Sequence, residues 1–442
     1  NREWKEMAHK ALDKLKLYPE VPRQQLSNAI DWLRDWACTR EKGLGTRLPW
    51  DEKWLIESLS DSTIYFAFYP IAHLIQKIDA DLIDDSVFDY VMLGKGKKPN
   101  VKTIDKMKEE FEYWYPFDFN TSGKDLIQNH IAFSLFNHSA IFPKEKWPNG
   151  LRINGWVTIN DEKMSKSLGN IILLREMIKV YSPDAARLTI AYAGEGMSDP
   201  NWDGEFADSS MARLSQLHDF CVDNYNKGTG KQDYAEKLFE SQINSIIKST
   251  TNFMEEAMFR SALQIGYFEM QRVVRQYLKL CKNNPNKKLI NKAIESQLLM
   301  LAPFTPFICE EVWNGIGKKG FISAAEWPKY DESSIDKKMM YMEEIIENAR
   351  KDIYDILKLS KIEKPKKVKL FIAEKWKYGF MGELKKELEK TKEIGQILKN
   401  LMQTELKRHG DEISKMVPQL AKNSSRIPAF VLDQDTELKL MK

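Results

Sequence analysis

The stretch Leu151-Arg152-Ile153-Asn154-Gly155-Trp156-Val157-Thr158-Ile159-Asn160-Asp161-Glu162-Lys163-Met164-Ser165-Lys166-Ser167-Leu168-Gly169-Asn170 decides how this chain is read. Residues 151–159 are strand-like, Asn160-Asp161 makes a tight turn, and an amphipathic segment begins near Ile171. Two lysines and two hydroxyls therefore fall on a short, turn-prone connection, a composition suited to holding phosphate. A solvated Lys/Ser loop has the same composition, so the neighbouring segments decide between the two.

Upstream, Trp114-Tyr115-Pro116-Phe117-Asp118-Phe119 reads as a short buried strand that ends in Asn120-Thr121-Ser122-Gly123-Lys124-Asp125. A helical stretch over 126–141 follows. Strand, glycine-containing turn and helix make the layout of a nucleotide-binding α/β unit. Nearer the start, Trp4, Met7, Ala8, Leu12 and Leu15 recur at helical spacing, as do apolar residues over 25–36. Residues 37–50 break into a loop marked by Gly and Pro, and 62–68 read as strand or buried helix. Helices near 174–180 and 183–192 complete an α/β half over 1–204.

Beyond residue 204 the pattern changes to long helices over 209–226, 234–256, 260–281 and 291–313, which predicts a helical bundle across 205–338. The remainder, 339–442, combines a helix over 339–359, a basic linker over 361–367, a strand over 368–373 and charged helices beyond 382. It reads as a small α+β domain, truncated at its end. The predicted fold is thus an α/β nucleotide-binding half-domain of Rossmann type, a bundle and a small α+β domain.

A chain of 442 residues with 43% apolar side chains has material for two or three cores. Its net charge of +3 provides no global field for nucleic acid, so any such contact rests on local patches. Cys38, Cys221, Cys281 and Cys309 are widely spaced, with neither a C-x-x-C pair nor a nearby histidine. That argues against a zinc ribbon or disulfide framework and for a reduced, cytoplasmic setting. The apolar run 64–75 is too short to span a bilayer and is interrupted by Pro70 and His73, so no membrane segment is expected. The chain opens on Asn1 inside a helical pattern and reads as a piece of something longer.

With these elements in place, the chain resembles the C-terminal half of the class I aminoacyl-tRNA synthetases. Lys163-Met164-Ser165-Lys166-Ser167 matches that class's K-M-S-K-S signature without substitution. Ser122-Gly123-Lys124-Asp125-Leu126-Ile127 resembles its ribose-binding turn, and Leu301-Ala302-Pro303-Phe304-Thr305-Pro306-Phe307 with the residues to Trp313 resembles a helix of its bundle. Two further segments are similar to leucyl-tRNA synthetases of the archaeal and eukaryotic cytosolic type. They are Ala29-Ile30-Asp31-Trp32-Leu33-Arg34-Asp35-Trp36 with its continuation to Trp50, and Trp54-Leu55-Ile56-Glu57-Ser58-Leu59-Ser60-Asp61-Ser62-Thr63-Ile64-Tyr65. A valyl, isoleucyl or methionyl relative is the alternative these segments disfavour.

One departure limits the resemblance: no histidine here belongs to the H-x-G-H motif the class also carries. The resemblance implies that this chain follows the family's editing insertion. Its partners would be the N-terminal half of the catalytic domain and the editing domain, besides leucine, ATP with Mg2+, and tRNA(Leu), in a monomeric enzyme. A tRNA-binding module without catalysis of its own is the competing reading.

The resemblance also assigns residues. Lys163 and Lys166 would stabilise the ATP phosphates in the transition state, with Lys166 carrying the larger share. Met164, Ser165 and Ser167 would orient the loop, and Gly123 and Asp125 would meet ribose, although Asp125 also fits a helix N-cap. His130, one turn beyond Asp125, is an outside candidate that faces either this site or the core; Ser62 and Tyr65 are the candidates near the leucine end, while His73 and His138 read as packing residues. For tRNA the bundle offers Arg260, Arg272, Arg275, Lys279 and Lys282 with Tyr277 interleaved, and the linker offers Lys364, Lys366, Lys367 and Lys369. No metal ligand is assigned.

Overall fold

At the centre of the first half lies a three-stranded parallel sheet in which Gly150–Asn154 is flanked by Lys16–Tyr18 on one side and Asn120–Gly123 on the other. This computed structural model describes residues 1–442 apart from Lys166, Leu168, Gln232, 424–426, Ala429, Met441 and Lys442. The register pairs Leu17 and Asn120 with Leu151, and Gly123 with Asn154. Leu151 and Ile153 are both buried, as a parallel strand covered by helices requires.

The helix Arg2–Lys14 buries Ala8, Ala11 and Leu12 at the spacing of one face. It packs beside Ala132–Ile141, where the Trp4 indole N–H donates to the Phe136 carbonyl at 2.6 Å. The helices Arg23–Trp32 and Ile104–Trp114 add Ile30, Met107 and Phe111 to the same core.

Several expectations need correction. Residues 114–119 are not a strand: Trp114 ends the helix Ile104–Trp114, and the ladder begins only at Asn120. Pro116 has no N–H to give a ladder, so the polar segment Asn120–Gly123 takes the edge position. The helical stretch expected over 126–141 is present, opening with a 3-10 turn, Lys124–Leu126, and a π turn, Ile127–Ile131, before the α-helix Ala132–Ile141. Residues 62–68, left open between strand and helix, form helical turns. Within 37–56, a small antiparallel sheet pairs Thr39–Arg40 and Arg47–Leu48 with Asp51–Ile56.

The strand expected over 151–159 is two strands, Gly150–Asn154 and Thr158–Ile159, separated at Gly155-Trp156-Val157. The break has a steric cause. A Cβ on Gly155 would lie 2.3 Å from the Ser198 carbonyl oxygen, so the chain can pass there only as glycine. The two helices expected between 174 and 192 are present: the kinked helix Leu174–Ala193 is broken by the non-helical Ser182 (φ 64°, ψ 157°) just before Pro183.

By contact density the chain divides into two units, Asn1–Thr229 with Ile246–Lys329, and Gly230–Ser245 with Tyr330–Lys442. In the first, the helices Gly204–Asn224, Met270–Leu280, Lys287–Leu301 and Pro306–Gly315 bury Leu217, Val273, Leu298 and Val312. The helix expected over 291–313 is interrupted because Pro303 and Pro306 withhold the N–H groups that would continue it.

The second unit has a small core of Phe380, Leu384, Ile397, Leu401, Leu406, Ile413 and Val417. These come mainly from the helices Lys375–Lys390, Ile394–Leu401 and Gly410–Lys422. The α+β expectation is not met there: residues 368–373 are irregular, and no strand occurs among the described residues of this unit. The segment is exposed, with Phe371 at 93%. A single extended run without a partner lacks the ladder that defines a strand.

Candidate functional site

The hairpin carrying the lysine loop follows from local geometry. Thr158–Ile159 pairs antiparallel with Glu162–Lys163, and Asn160 (φ 52°) and Asp161 (φ 60°) supply the two positive-φ residues of a primed two-residue turn. On its other edge Thr158–Ile159 pairs parallel with Asn201–Trp202, and the Asn201 amide oxygen accepts the Asp161 N–H at 3.0 Å. Lys163 is therefore the last residue fixed by a ladder before the loop begins.

The loop closes on itself through Asn170, whose side chain accepts the Ser165 N–H at 2.8 Å and donates to the Lys163 carbonyl at 3.2 Å. The Ser165 and Ser167 hydroxyls are 2.7 Å apart, and Gly169 adopts φ 67°. Lys163 and Ser167 are exposed and Met164 is half-buried, while Lys166 lies outside the described residues.

The Ser122–Asp125 turn leaves the C-terminal end of Asn120–Gly123, beside the end of Gly150–Asn154 from which Gly155-Trp156-Val157 runs into the separate sheet of the lysine-loop hairpin. That end is where open α/β sheets bind ligands. A Cβ on Gly123 would come within 2.5 Å of Asp125 Oδ1, so glycine here lets the carboxylate fold back over the backbone. The 3-10 turn that begins at Lys124 has no side-chain cap, and Asp125 is exposed with no hydrogen bond or ion pair among the described residues. The N-cap reading of Asp125 is thus not what the structure contains.

Lys124, which sequence reasoning passed over, connects the two turns. Its ammonium pairs with Asp199 Oδ1 at 2.6 Å, and the same oxygen accepts the Trp156 backbone N–H at 2.7 Å. These contacts hold the Asp199 carboxyl below the usual carboxylate range, with Lys124 the larger cause. Lys163 Nζ stands 4.0 Å from the centre of the Trp156 ring. Asp199 carries no local signal in sequence, being brought in by the loop after the kinked helix.

Tyr65 stacks on Phe66 with centroids 4.5 Å apart and lies 6.5 Å from the His130 ring. Burial pushes the Tyr65 hydroxyl up and His130 down from their ordinary values. Ser62 closes the short helix Ser58–Asp61. His138 is fully buried, with Nδ1 2.7 Å from the Ser134 carbonyl oxygen and burial lowering its pKa to about 4. His73 is exposed, contrary to its reading as a packing residue.

Among the basic candidates, Arg275, Lys279 and Lys282 are exposed along one side of Met270–Leu280 and just past its end. Arg272 is engaged by Glu269 through contacts of 2.6 and 2.8 Å, and Arg260 lies over the Tyr192 ring at 5.4 Å. Tyr277 is not interleaved at the surface: it is buried, and its hydroxyl accepts the Asn286 N–H at 2.7 Å. Lys364, Lys366, Lys367 and Lys369 are all exposed in the second unit.

Comparison with known proteins supports the class these turns suggest. Residues 105–194 match the family described as the class I (C) tRNA synthetase catalytic domain, and 236–372 match the anticodon-binding domain of tRNA ligases. The fold is similar to that of the protein in a LeuRS-tRNA-LeuAMS ternary complex from Agrobacterium radiobacter K84. The TM-score is 0.50 and the identity 17%, over 67% of this chain and 38% of that one. The chain thus carries catalytic and anticodon-binding domains of class I aminoacyl-tRNA synthetases.

Leucine--tRNA ligase of Aeropyrum pernix is 38% identical over 95% of this chain and 45% of its own length. That of Archaeoglobus fulgidus is 36% identical over 97% and 46% respectively, and that of Pyrococcus horikoshii 36% over 96% and 46%. The chain belongs to the leucyl-tRNA synthetase family and spans about half the length of the curated relatives it matches.

Proposed function

We infer that this chain is the part of a leucine--tRNA ligase that closes over ATP and docks tRNA(Leu). The carrying observation is that the Ser122–Asp125 turn and the Gly155-Trp156-Val157 segment that leads into the lysine-loop hairpin leave the C-terminal ends of adjacent parallel strands, with Lys124 and Lys163 both over the Trp156 ring. The sheet with its helices is read as the second half of a Rossmann-type catalytic domain over 1–204. A bundle of anticodon-binding type over 205–338 and a tRNA-interacting segment over 339–442 complete the division.

Activation is attack of the leucine carboxylate on the α-phosphorus of ATP with loss of pyrophosphate, so negative charge grows on the transferring and leaving oxygens. Lys163 and Lys166 stabilise that charge from the loop, more in the transition state than in the ground state. Met164, Ser165 and Ser167 set the loop's shape, Gly123 and Asp125 receive the ribose, and Ser62 and Tyr65 stand toward leucine. Mg2+ enters with the ATP phosphates.

Arg260, Arg272, Arg275 and Lys279, with Lys364, Lys366 and Lys367, meet tRNA phosphates. The enzyme acts as a cytoplasmic monomer, and no described helix is long and apolar enough to cross a membrane. The test is leucine-dependent pyrophosphate exchange by the longer protein that contains this chain. Exchange is expected with wild type and lost in Lys163→Ala; exchange that is absent, or unaffected by that change, overturns the reading. The missing H-x-G-H favours a second reading, a tRNA-binding module. Leucyl-adenylate formed by this chain alone from ATP and leucine excludes that second reading.

A further inference from the structure

The Trp156 indole gathers two ammonium groups from two different turns. Lys163 Nζ lies 4.0 Å and Lys124 Nζ 5.1 Å from the ring centre. The ring is anchored through its own backbone, because the Trp156 N–H donates to Asp199 Oδ1 at 2.7 Å and that oxygen also receives Lys124 at 2.6 Å. Gly155, just before it, is pressed against Ser198 O and Asp199 Oδ1, where a Cβ would come within 2.3 and 2.5 Å. Trp156 is 36% exposed, so the residue is not sealed from solvent.

Charge is unevenly distributed in this group. Asp199 neutralises Lys124, whereas Lys163 makes no ion pair among the described residues and is held by the ring face. A long lysine side chain otherwise samples many rotamers, and fixing it carries an entropic cost. Contact with an aromatic face offsets part of that cost because the ring quadrupole attracts the cation. A cation already in place needs no reorganisation when charge develops beside it.

We propose that Trp156 is a positioning residue for Lys163, its ring face holding the loop ammonium beside Lys124 and the Ser122–Asp125 turn, with Asp199 fixing the ring. The proposal rests on reading the loop as the part that meets triphosphate. It makes Lys124, Trp156 and Asp199 one mechanical link between the Ser122–Asp125 turn and the lysine loop, with Lys163 the cation of the group that no carboxylate among the described residues neutralises. Trp156 itself touches no reacting atom.

The experiment measures acetylation rates of individual lysines by mass spectrometry on the purified chain, with site-specifically fluorinated tryptophans at position 156. Fluorination drains the ring face without changing its shape. Lys163 labelling is expected to rise stepwise with each fluorine, reaching about two- to fivefold, as loss of a partly exposed cation–π contact predicts. Lys364, exposed in the other unit, should not change.

Trp156→Leu should reproduce the full effect and Trp156→Phe only part of it. If Trp156→Leu unfolds the chain, all lysines accelerate together, and the isosteric fluorinated series still decides. A flat response of Lys163 across that series overturns the proposal. ATP protection of Lys163 is scored separately, in the longer protein that contains this chain: a graded fluorine response without such protection leaves the Trp156 contact standing and removes the nucleotide reading.

Discussion

The Asp184 carboxylate, on the kinked helix after the lysine loop, accepts the backbone N–H of Ile308 at 2.7 Å. It also accepts that of Phe307 at 3.3 Å. Both donors are first-turn groups of Pro306–Gly315, which otherwise lack intrahelical partners. One helix turn on, Arg187 donates to the carbonyls of Phe304 and Pro303 at 3.0 and 2.8 Å. The segment recognised in sequence as Leu301-Ala302-Pro303-Phe304-Thr305-Pro306-Phe307 is thus clamped by the helix that issues from the loop. The clamp ties the bundle to the catalytic half within one unit.

Asp184→Ala should destabilise the chain by about 1–2 kcal/mol, the usual cost of losing a helix cap. Burial raises the Asp184 pKa despite the opposing backbone hydrogen bonds. A carboxyl raised in the folded state contributes stability below its unfolded pKa and loses it as pH rises through the folded value. Asp184→Asn should therefore cost less than half as much at pH 7, and wild type should gain on it as pH falls. Urea midpoints of the three proteins at several pH values measure this.

His138 gives the opposite dependence. Its pKa is lowered from 6.5 to about 4, chiefly by burial. The neutral ring favours the folded state above pH 6.5, and that advantage is lost as pH falls toward 4. The loss amounts to roughly 3 kcal/mol if the whole shift is realised. His138→Phe, among the rings of Tyr115, Phe117 and Phe142, should flatten the difference in stability between pH 7 and pH 4. Parallel urea titrations of both proteins provide the check.

Two glycine substitutions should separate structure from ligand binding. In Gly155→Ala the new methyl meets the backbone oxygen of Ser198 at 2.3 Å, so the chain must shift, and a loss of about 1–3 kcal/mol is expected. In Gly123→Ala it meets only the end of the Asp125 side chain, which can swing away. Gly123 has φ −83° and ψ 154°, which alanine adopts freely, so stability should change by under about 1 kcal/mol as the reduced freedom of the unfolded chain offsets the contact, while ATP affinity weakens because Asp125 is displaced. Unfolding curves and ATP titration together distinguish the two.

Lys166→Ala in the longer enzyme should lower leucine-dependent pyrophosphate exchange roughly 10²–10³-fold, the range for removing one transition-state charge partner. Its unfolding midpoint should not move. Stopped exchange together with a lowered midpoint would point to a folding defect instead.

Association with tRNA should weaken steeply as salt is raised. Arg275→Ala and Lys279→Ala should each reduce the slope of log K against log salt by about 1. Arg272→Ala should reduce it less, since its guanidinium is already engaged by Glu269. Filter binding or anisotropy across a salt series measures the slopes.

Motifs, family and most of the bundle's helices are legible in contiguous residues, although the helix read over 291–313 breaks between Leu301 and Pro306. Lys163-Met164-Ser165-Lys166-Ser167 needs no partner to be read, and the spacing of Ala8, Ala11 and Leu12 states its helix face directly. Short strands were less legible. Asn120–Gly123 is polar and gains its strand identity only from pairing with Gly150–Asn154, and 368–373 has strand composition but no ladder. Tyr277 looked like a surface aromatic because its helix is basic, yet its ring falls on the buried side.

Only the tertiary structure decided which groups stand around Lys163. Lys124, Trp156 and Asp199 are distant in sequence, and their meeting depends on two adjacent parallel strands and on the close pass of Gly155 over Ser198. Local propensity carries no information about such a convergence. It arises where backbone ladders and steric exclusion between remote segments fix the positions of side chains that never neighbour one another along the chain.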